Sequence, residues 1–287
     1  MRELKEVDYV FSKLTHTKVV LIAGNHDYVK PDSYYRKYKW SSEVYFLLDD
    51  TLDHVEFPEI ETCVYGLSYT SKEITEPLYD DAFPQKKQSI EILLAHGGDE
   101  KHIPIKPEDG AAFDYAALGH IHKQGILIPN QMAYAGALEP LDRNHEGNHG
   151  FIKGEIRDGR TQIQFVPFAC RSYLDLEIWS DATMTQSELE QIVRERIYQQ
   201  GKNNIYRIHI KGHRSPDLDF DLQRLYELGN VVEAMDETLP YYQLEKLRKQ
   251  QEGTIIGEYI DCFEGKEEII ERKALFYGLQ ALMETEL

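Results

Sequence analysis

Cysteine is scarce in this sequence: Cys63, Cys170 and Cys262 stand far apart and form no CxxC pair. An odd, scattered set excludes a disulfide framework and a thiolate metal site, and leaves the three as small hydrophobic side chains. Long apolar runs are missing as well. No stretch approaches the roughly 18 residues of a membrane span, and the start, Met1–Asp8, has no apolar core of an export signal, so the expected location is cytoplasmic. Basic residues are outnumbered, 32 against 50 acidic, for a net charge of -18. The acidity is spread along the chain, which argues against a diffuse Lys/Arg patch for nucleic acid. It leaves room for an enzyme whose metal ions supply positive charge at a phosphate. Neither a GxSxG elbow nor a cysteine nucleophile motif is present, which fits hydrolysis without a protein nucleophile.

What is present alternates between short apolar runs and loops rich in Asp, Gly, Pro and His. Leu4, Val7, Val10, Phe11 and Leu14 recur at spacings of three and four, predicting an amphipathic helix that begins almost at Met1. Lys18–Ala23 predicts a buried strand, and similar runs follow at Val44–Leu48, Thr62–Leu67, Ile90–Ala95, Tyr115–Leu118 and Met132–Ala135. Gly150–Arg157 and Arg160–Pro167, joined by Asp158-Gly159, predict a hairpin that closes a first domain over residues 1–169. From 170 to 287 the pattern changes. A helix is expected over Thr185–Gln200, a strand over Tyr206–Ile210, and helices over Leu239–Gln251 and Lys266–Glu286, together a smaller α/β unit. The stretch YYRKYKW after residue 33 reads as a partly buried helix face rather than a base-stacking platform.

Three polar motifs sit where strands end, the place where ligands bind in open α/β sheets. The first is Gly24-Asn25-His26-Asp27, the second His96-Gly97-Gly98 and the third Gly119-His120-Ile121-His122. Asn25 offers an amide oxygen to a cation, His26 a proton to a phosphate oxygen, and Asp27 a carboxylate that could orient that ring. In extended chain His120 and His122 project to one face, and paired imidazoles suit manganese, iron or zinc better than calcium. Each motif alone also reads as a turn or a structural histidine. Three in order make that reading much weaker.

This order, followed by Tyr134-Ala135-Gly136-Ala137, resembles the calcineurin-like metallophosphoesterases, and within them the DNA repair exonucleases of the SbcD type with their bacterial YhaO branch. The resemblance implies an α/β fold, a four-layer-type metallophosphoesterase sandwich of mixed sheets flanked by helices, with a small α/β capping domain. It implies two divalent metal ions, Mn2+ first with Fe2+ or Zn2+ as alternatives. Asn25, His96 and His120 would hold one ion and His122 the other. His26, oriented by Asp27, would stabilise the transition-state phosphate or protonate the leaving oxygen, and a metal-activated water would attack. Arg143 is a candidate phosphate contact. DNA, an SbcC-type ATPase and a second copy of the chain are the implied partners.

The sequence departs from that family in one respect. Family members start with a strand ending in Asp-x-His and a second ending in Gly-Asp, and neither motif precedes Asn25 here. The chain is therefore expected to be an N-terminally truncated reading of a longer protein, with an incomplete second metal site and weak metal binding. Three functions compete: a metal-dependent DNA exonuclease, an inactive product or scaffold that keeps the fold, and a phosphoesterase for a cyclic nucleotide or phosphoprotein.

Overall fold

The computed structural model describes residues 1–142, 147–266 and 268–285. The chain divides into two compact units, Met1–Ala169 and Cys170–Leu287. The chain is mixed α/β with several sheets flanked by helices, as the sequence implied: the first unit holds a two-stranded sheet, a six-stranded sheet and a hairpin, and the second one four-stranded sheet.

In the first unit, helix α1 (Arg2–Phe11) leads to strand β1 (Val19–Ile22), the short helix α2 (Tyr34–Lys37) and strand β2 (Val44–Leu47). β1 and β2 pair in parallel as a two-stranded sheet. β1 was expected to be buried, but all four of its residues are only half-buried, because β2 is its one partner among the described residues. The stripe expected to bury α1 is likewise largely exposed at Val7, Val10 and Leu14. What anchors α1 instead is Asp8, buried and accepting from the Tyr38 hydroxyl at 3.0 Å and the Ser41 amide at 3.0 Å. Those bonds bring Trp40 against Phe11 and Tyr38, so most of the aromatic stretch is packed, although its helix is a single turn.

A six-stranded sheet forms the body of this unit. Its strands are β3 (Asp53–Phe57), β4 (Thr62–Gly66), β5 (Ile90–His96), β6 (Tyr115–Gly119), β7 (Gly125–Ile128) and β8 (Met132–Tyr134), in the order β3-β4-β5-β6-β8-β7. The four central strands run parallel and the outer two antiparallel. Helix α3 (Pro107–Ala111) precedes β6. Alternate residues such as Leu93 and Ala95 on β5 and Ala116 and Leu118 on β6 enter one apolar core, as the two-residue period of a strand requires. Buried Ser68 links the two sheets: its hydroxyl accepts from the Ala23 amide and donates to the Leu47 carbonyl. The ends of β1, β2 and β4 are thereby tied together. The hairpin β9 (Gly150–Arg157) and β10 (Arg160–Pro167) pairs antiparallel, with Asp158 and Gly159 at positive φ.

The second unit holds β11 (Tyr173–Ser180), α4 (Gln186–Gln200), β12 (Ile205–Arg214), β13 (Val231–Asp236) and the two-residue β14 (Leu239–Pro240), followed by helices α5 (Leu244–Gln250), α6 (Ile255–Asp261) and α7 (Ile269–Thr285). β11, β12 and β13 are parallel. α4 is started by Thr185 and Glu188, each accepting from the other's amide. Its Leu189, Val193 and Ile197, four apart, meet Leu176, Ile178, Ile208 and Ile210 in the core. Cys63 is buried, as a small hydrophobe should be, while Cys170 and Cys262 are exposed.

Candidate metal centre

The register of the six-stranded sheet sets His96, the last residue of β5, opposite Gly119, the last of β6. The two loops that follow must leave the sheet side by side. The segment after β1 reaches the same edge, because the Tyr69 amide donates to the Ala23 carbonyl at 3.0 Å and the Val29 amide to Tyr69 at 2.7 Å. Residues 71 and 95 positions apart in the chain therefore meet.

Asn25, 4% exposed, is the centre of the group. Its Oδ1 lies 3.0 Å from His96 Nε2 and 3.3 Å from His120 Nδ1. Neighbouring ligands of an octahedral ion with bonds of about 2.1 Å stand roughly 3.0 Å apart. The donor chemistry, two imidazoles and an amide oxygen, suits a divalent transition ion. His122, half-buried two residues further on, acts on His96 through its charge. His26 is exposed and also felt by His96. Asp27 turns elsewhere: Oδ1 accepts from the Gly24 amide at 2.8 Å and Oδ2 from the Tyr35 hydroxyl at 2.9 Å, so it shapes the loop rather than the His26 ring. Arg143 lies outside the described residues.

Two residues that sequence reasoning passed over complete the group. Asp99 Oδ2 is 2.7 Å from His120 Nε2 and its Oδ1 is 2.7 Å from His102 Nδ1, while His102 Nε2 is 3.0 Å from Asn25 Nδ2. Asp99, His102 and His120 thus offer a further set of ligand atoms within 4.8 Å of one another. The spacing H-G-G-D-x-x-H carried the signal, but only loop geometry turns it inward.

The loop from His96 to Ile103 is held by three buried tyrosines. The His96 amide donates to the Tyr79 hydroxyl at 3.1 Å, the Ile103 amide to Tyr69 at 2.9 Å, and the Tyr134 hydroxyl donates to the Gly97 carbonyl at 3.0 Å. Burial pushes the Tyr69 and Tyr134 phenols up to about 12, so both stay neutral. Ala137 in turn donates to the His122 carbonyl at 2.9 Å, tying the end of β8 to the GHIH loop. His120 itself sits at φ +95, a strained conformation for a non-glycine residue of the kind found at functional sites.

Burial, and then the charges of His120, His102, His26 and His122, push the His96 imidazole from 6.5 down to about 4. Burial acts to raise the Asp99 carboxyl, but hydrogen bonds from His120, the Lys101 amide and His102 outweigh it and hold it well below the usual carboxylate range. Between pH 6.5 and about 4 the unfolded chain takes a proton on His96 that the folded chain refuses. The contribution is therefore intact above pH 6.5 and is lost as pH falls, by up to about 1.4 kcal/mol per unit. Below the ordinary Asp value, Asp99 adds a loss of the same sign. Urea unfolding in a Trp179→Phe background, where Trp40 reports on the first unit, should show the midpoint falling through this window. A midpoint that stays flat there contradicts the neutral, buried His96.

Residues 3–124 match the calcineurin-like phosphoesterase family. The chain is also 26% identical, over 203 residues, to the DNA double-strand break repair protein Mre11 of Methanocaldococcus jannaschii, an alignment covering 62% of this chain and 54% of that protein. The chain thus spans about half the length of the curated relative it matches. The three strand-end motifs all lie inside the matched segment, so the part of the first unit that holds the cluster is similar to a calcineurin-like phosphoesterase domain.

Proposed function

We propose that the first unit is the metal-binding part of a metal-dependent phosphodiesterase acting on DNA, a nuclease of the Mre11 and SbcD kind. The observation that carries this reading is the convergence of Asn25 Oδ1, His96 Nε2 and His120 Nδ1 at ligand spacing. Mn2+ is the proposed ion, with Fe2+ or Zn2+ as alternatives, and His122 is the proposed ligand of a second ion. A bound divalent ion supplies a Lewis acid for a phosphate oxygen and lowers the pKa of an attacking water. His26, exposed and adjacent to Asn25 in the chain, is the proposed proton donor to the departing oxygen. Arg143 is assigned to the phosphate, and residues 170–287 to a capping domain. The similarity to a DNA double-strand break repair protein supports DNA as substrate; an SbcC-type ATPase and a second copy of the chain are the partners proposed from the resemblance of the sequence motifs.

The test is Mn2+-dependent hydrolysis of bis-p-nitrophenyl phosphate, linear duplex DNA and a cyclic nucleotide, beside calorimetric Mn2+ binding. His120→Ala should remove both binding and hydrolysis. His26→Ala should keep binding and lower turnover by about 10²–10⁴-fold, as expected of a general acid. Metal binding without hydrolysis of any substrate would identify a scaffold that keeps the fold. Preference for the cyclic nucleotide would move the enzyme to another phosphoesterase class.

A further inference from the structure

Three neutral ligands offset none of an ion's charge, yet one carboxylate reaches the cluster from behind. We infer that Asp99 and His102 are positioning residues of the metal site, fixing the ring tautomer of His120 and the amide orientation of Asn25; this rests on the metal-site reading above.

The assignment follows from which atoms can donate. An ionised carboxylate only accepts. Asp99 Oδ2, 2.7 Å from His120 Nε2, therefore places the hydrogen of the neutral ring on Nε2 and leaves a lone pair on Nδ1. Asp99 Oδ1, 2.7 Å from His102 Nδ1, likewise places that ring's hydrogen on Nδ1 and leaves Nε2 an acceptor. His102 Nε2 then takes a hydrogen from Asn25 Nδ2 at 3.0 Å, which turns Asn25 Oδ1 the opposite way. Two lone pairs now face each other across 3.3 Å, His120 Nδ1 and Asn25 Oδ1. Acceptors arranged like this repel one another unless a cation lies between them. The whole arrangement is propagated from one carboxylate that is itself bonded to the Lys101 and His102 amides at 2.9 and 3.1 Å. A carboxylate behind a ligating histidine also makes the ring a stronger donor, and loss of such a partner typically weakens metal binding about 10–100-fold. Asp99 thus passes negative charge to the site through His120 without touching the ion.

Two measurements on the full chain test this. In the metal-free protein at mildly alkaline pH, long-range proton–nitrogen NMR of the imidazoles should find His120 protonated at Nε2 and His102 at Nδ1, the rarer form in water. Asp99→Asn should scramble both. Calorimetry with Mn2+, with Co2+ absorption as a second probe, should show Asp99→Asn and His102→Leu binding about 10–100-fold more weakly. His102→Gln, whose Oε1 can still accept from Asn25, should recover most of the affinity. His102 protonated at Nε2, or unchanged tautomers in Asp99→Asn, would overturn the inference whether or not the protein binds metal. Binding that survives His96→Ala but vanishes in Asp99→Ala would overturn it too, by making Asp99 a direct ligand with His102 and His120. A wild-type chain with the expected tautomers but no metal affinity would uphold the positioning network and sink the metal-site reading instead.

Discussion

Gly24→Ala is expected to lower Mn2+ affinity by about 10–100-fold while the first unit stays folded, the scale of loss seen when the positioning of a metal ligand is disturbed. A Cβ at this position would stand 2.5 Å from His96 Cε1 and 2.7 Å from His96 Nε2. Real carbon atoms do not approach so closely, so the imidazole has to move. It has little freedom to do so in place: its edge packs on the Tyr69 ring at 5.3 Å between centroids, and its backbone amide is held by Tyr79. The displaced ring can no longer keep Nε2 at 3.0 Å from Asn25 Oδ1. Gly24 is not at positive φ, so the substitution adds no backbone strain, and overpacking alone costs about 1–3 kcal/mol. Circular dichroism should therefore show a protein that melts a few degrees earlier but is still folded at the temperature where calorimetry reads the weaker binding. An alanine variant that binds Mn2+ as the wild type does would remove His96 from the ligand set.

Gly97→Ala should instead cost the fold. Gly97 has φ +144, and a Cβ would lie 2.2 Å from the Ile103 carbonyl oxygen, a backbone atom that cannot swing aside. The same loop closes through the Gly98 amide, which donates to that carbonyl at 2.9 Å, so moving Ile103 breaks the bond that shapes the turn. Strain of about 1–3 kcal/mol and overpacking of about the same size act together. A loss of this size should lower the melting midpoint of the first unit by on the order of 10 °C. Gly159→Ala is the control: at φ +68 in the β9–β10 turn, its Cβ would meet nothing within 4 Å. It should cost only the left-handed backbone penalty, about 1–2 kcal/mol. Equal losses at the two glycines would mean that the Ile103 contact plays no part.

The periodic elements were legible because their residues repeat. The β9–β10 hairpin is announced by Asp158-Gly159, and α4 by Thr185, Glu188 and the apolar residues at every fourth place. Aperiodic or short elements were missed. β3 and β7 are edge strands with mixed burial, and the pairing of β13 with β12 is broken by a register shift. β11 is the exception: Leu174, Leu176 and Ile178 alternate with Asp175 and Glu177 at the two-residue period of a strand, a signal the sequence carries although no strand was expected there. The helix expected from Leu239 starts only at Leu244, because the preceding segment pairs with β12 as β14. A local pattern cannot show that a strand partner is waiting elsewhere.

By itself the sequence determined the three strand-end motifs and with them Asn25, His96, His120 and His122. A polar side chain at or just past the end of an apolar strand, beside a glycine, is delivered to the sheet edge whatever the neighbours are. Only the tertiary structure decided which of these residues meet, through the pairing of His96 with Gly119 and the anchoring of Ala23 by Ser68 and Tyr69. It alone turned Asp27 toward Gly24 and Tyr35, and brought Asp99 and His102 behind His120. The reason is directional: a hydrogen bond between side chains depends on loop path and ring orientation, set by three buried tyrosines 17 to 37 residues away from the groups they hold. No periodicity along the chain encodes that.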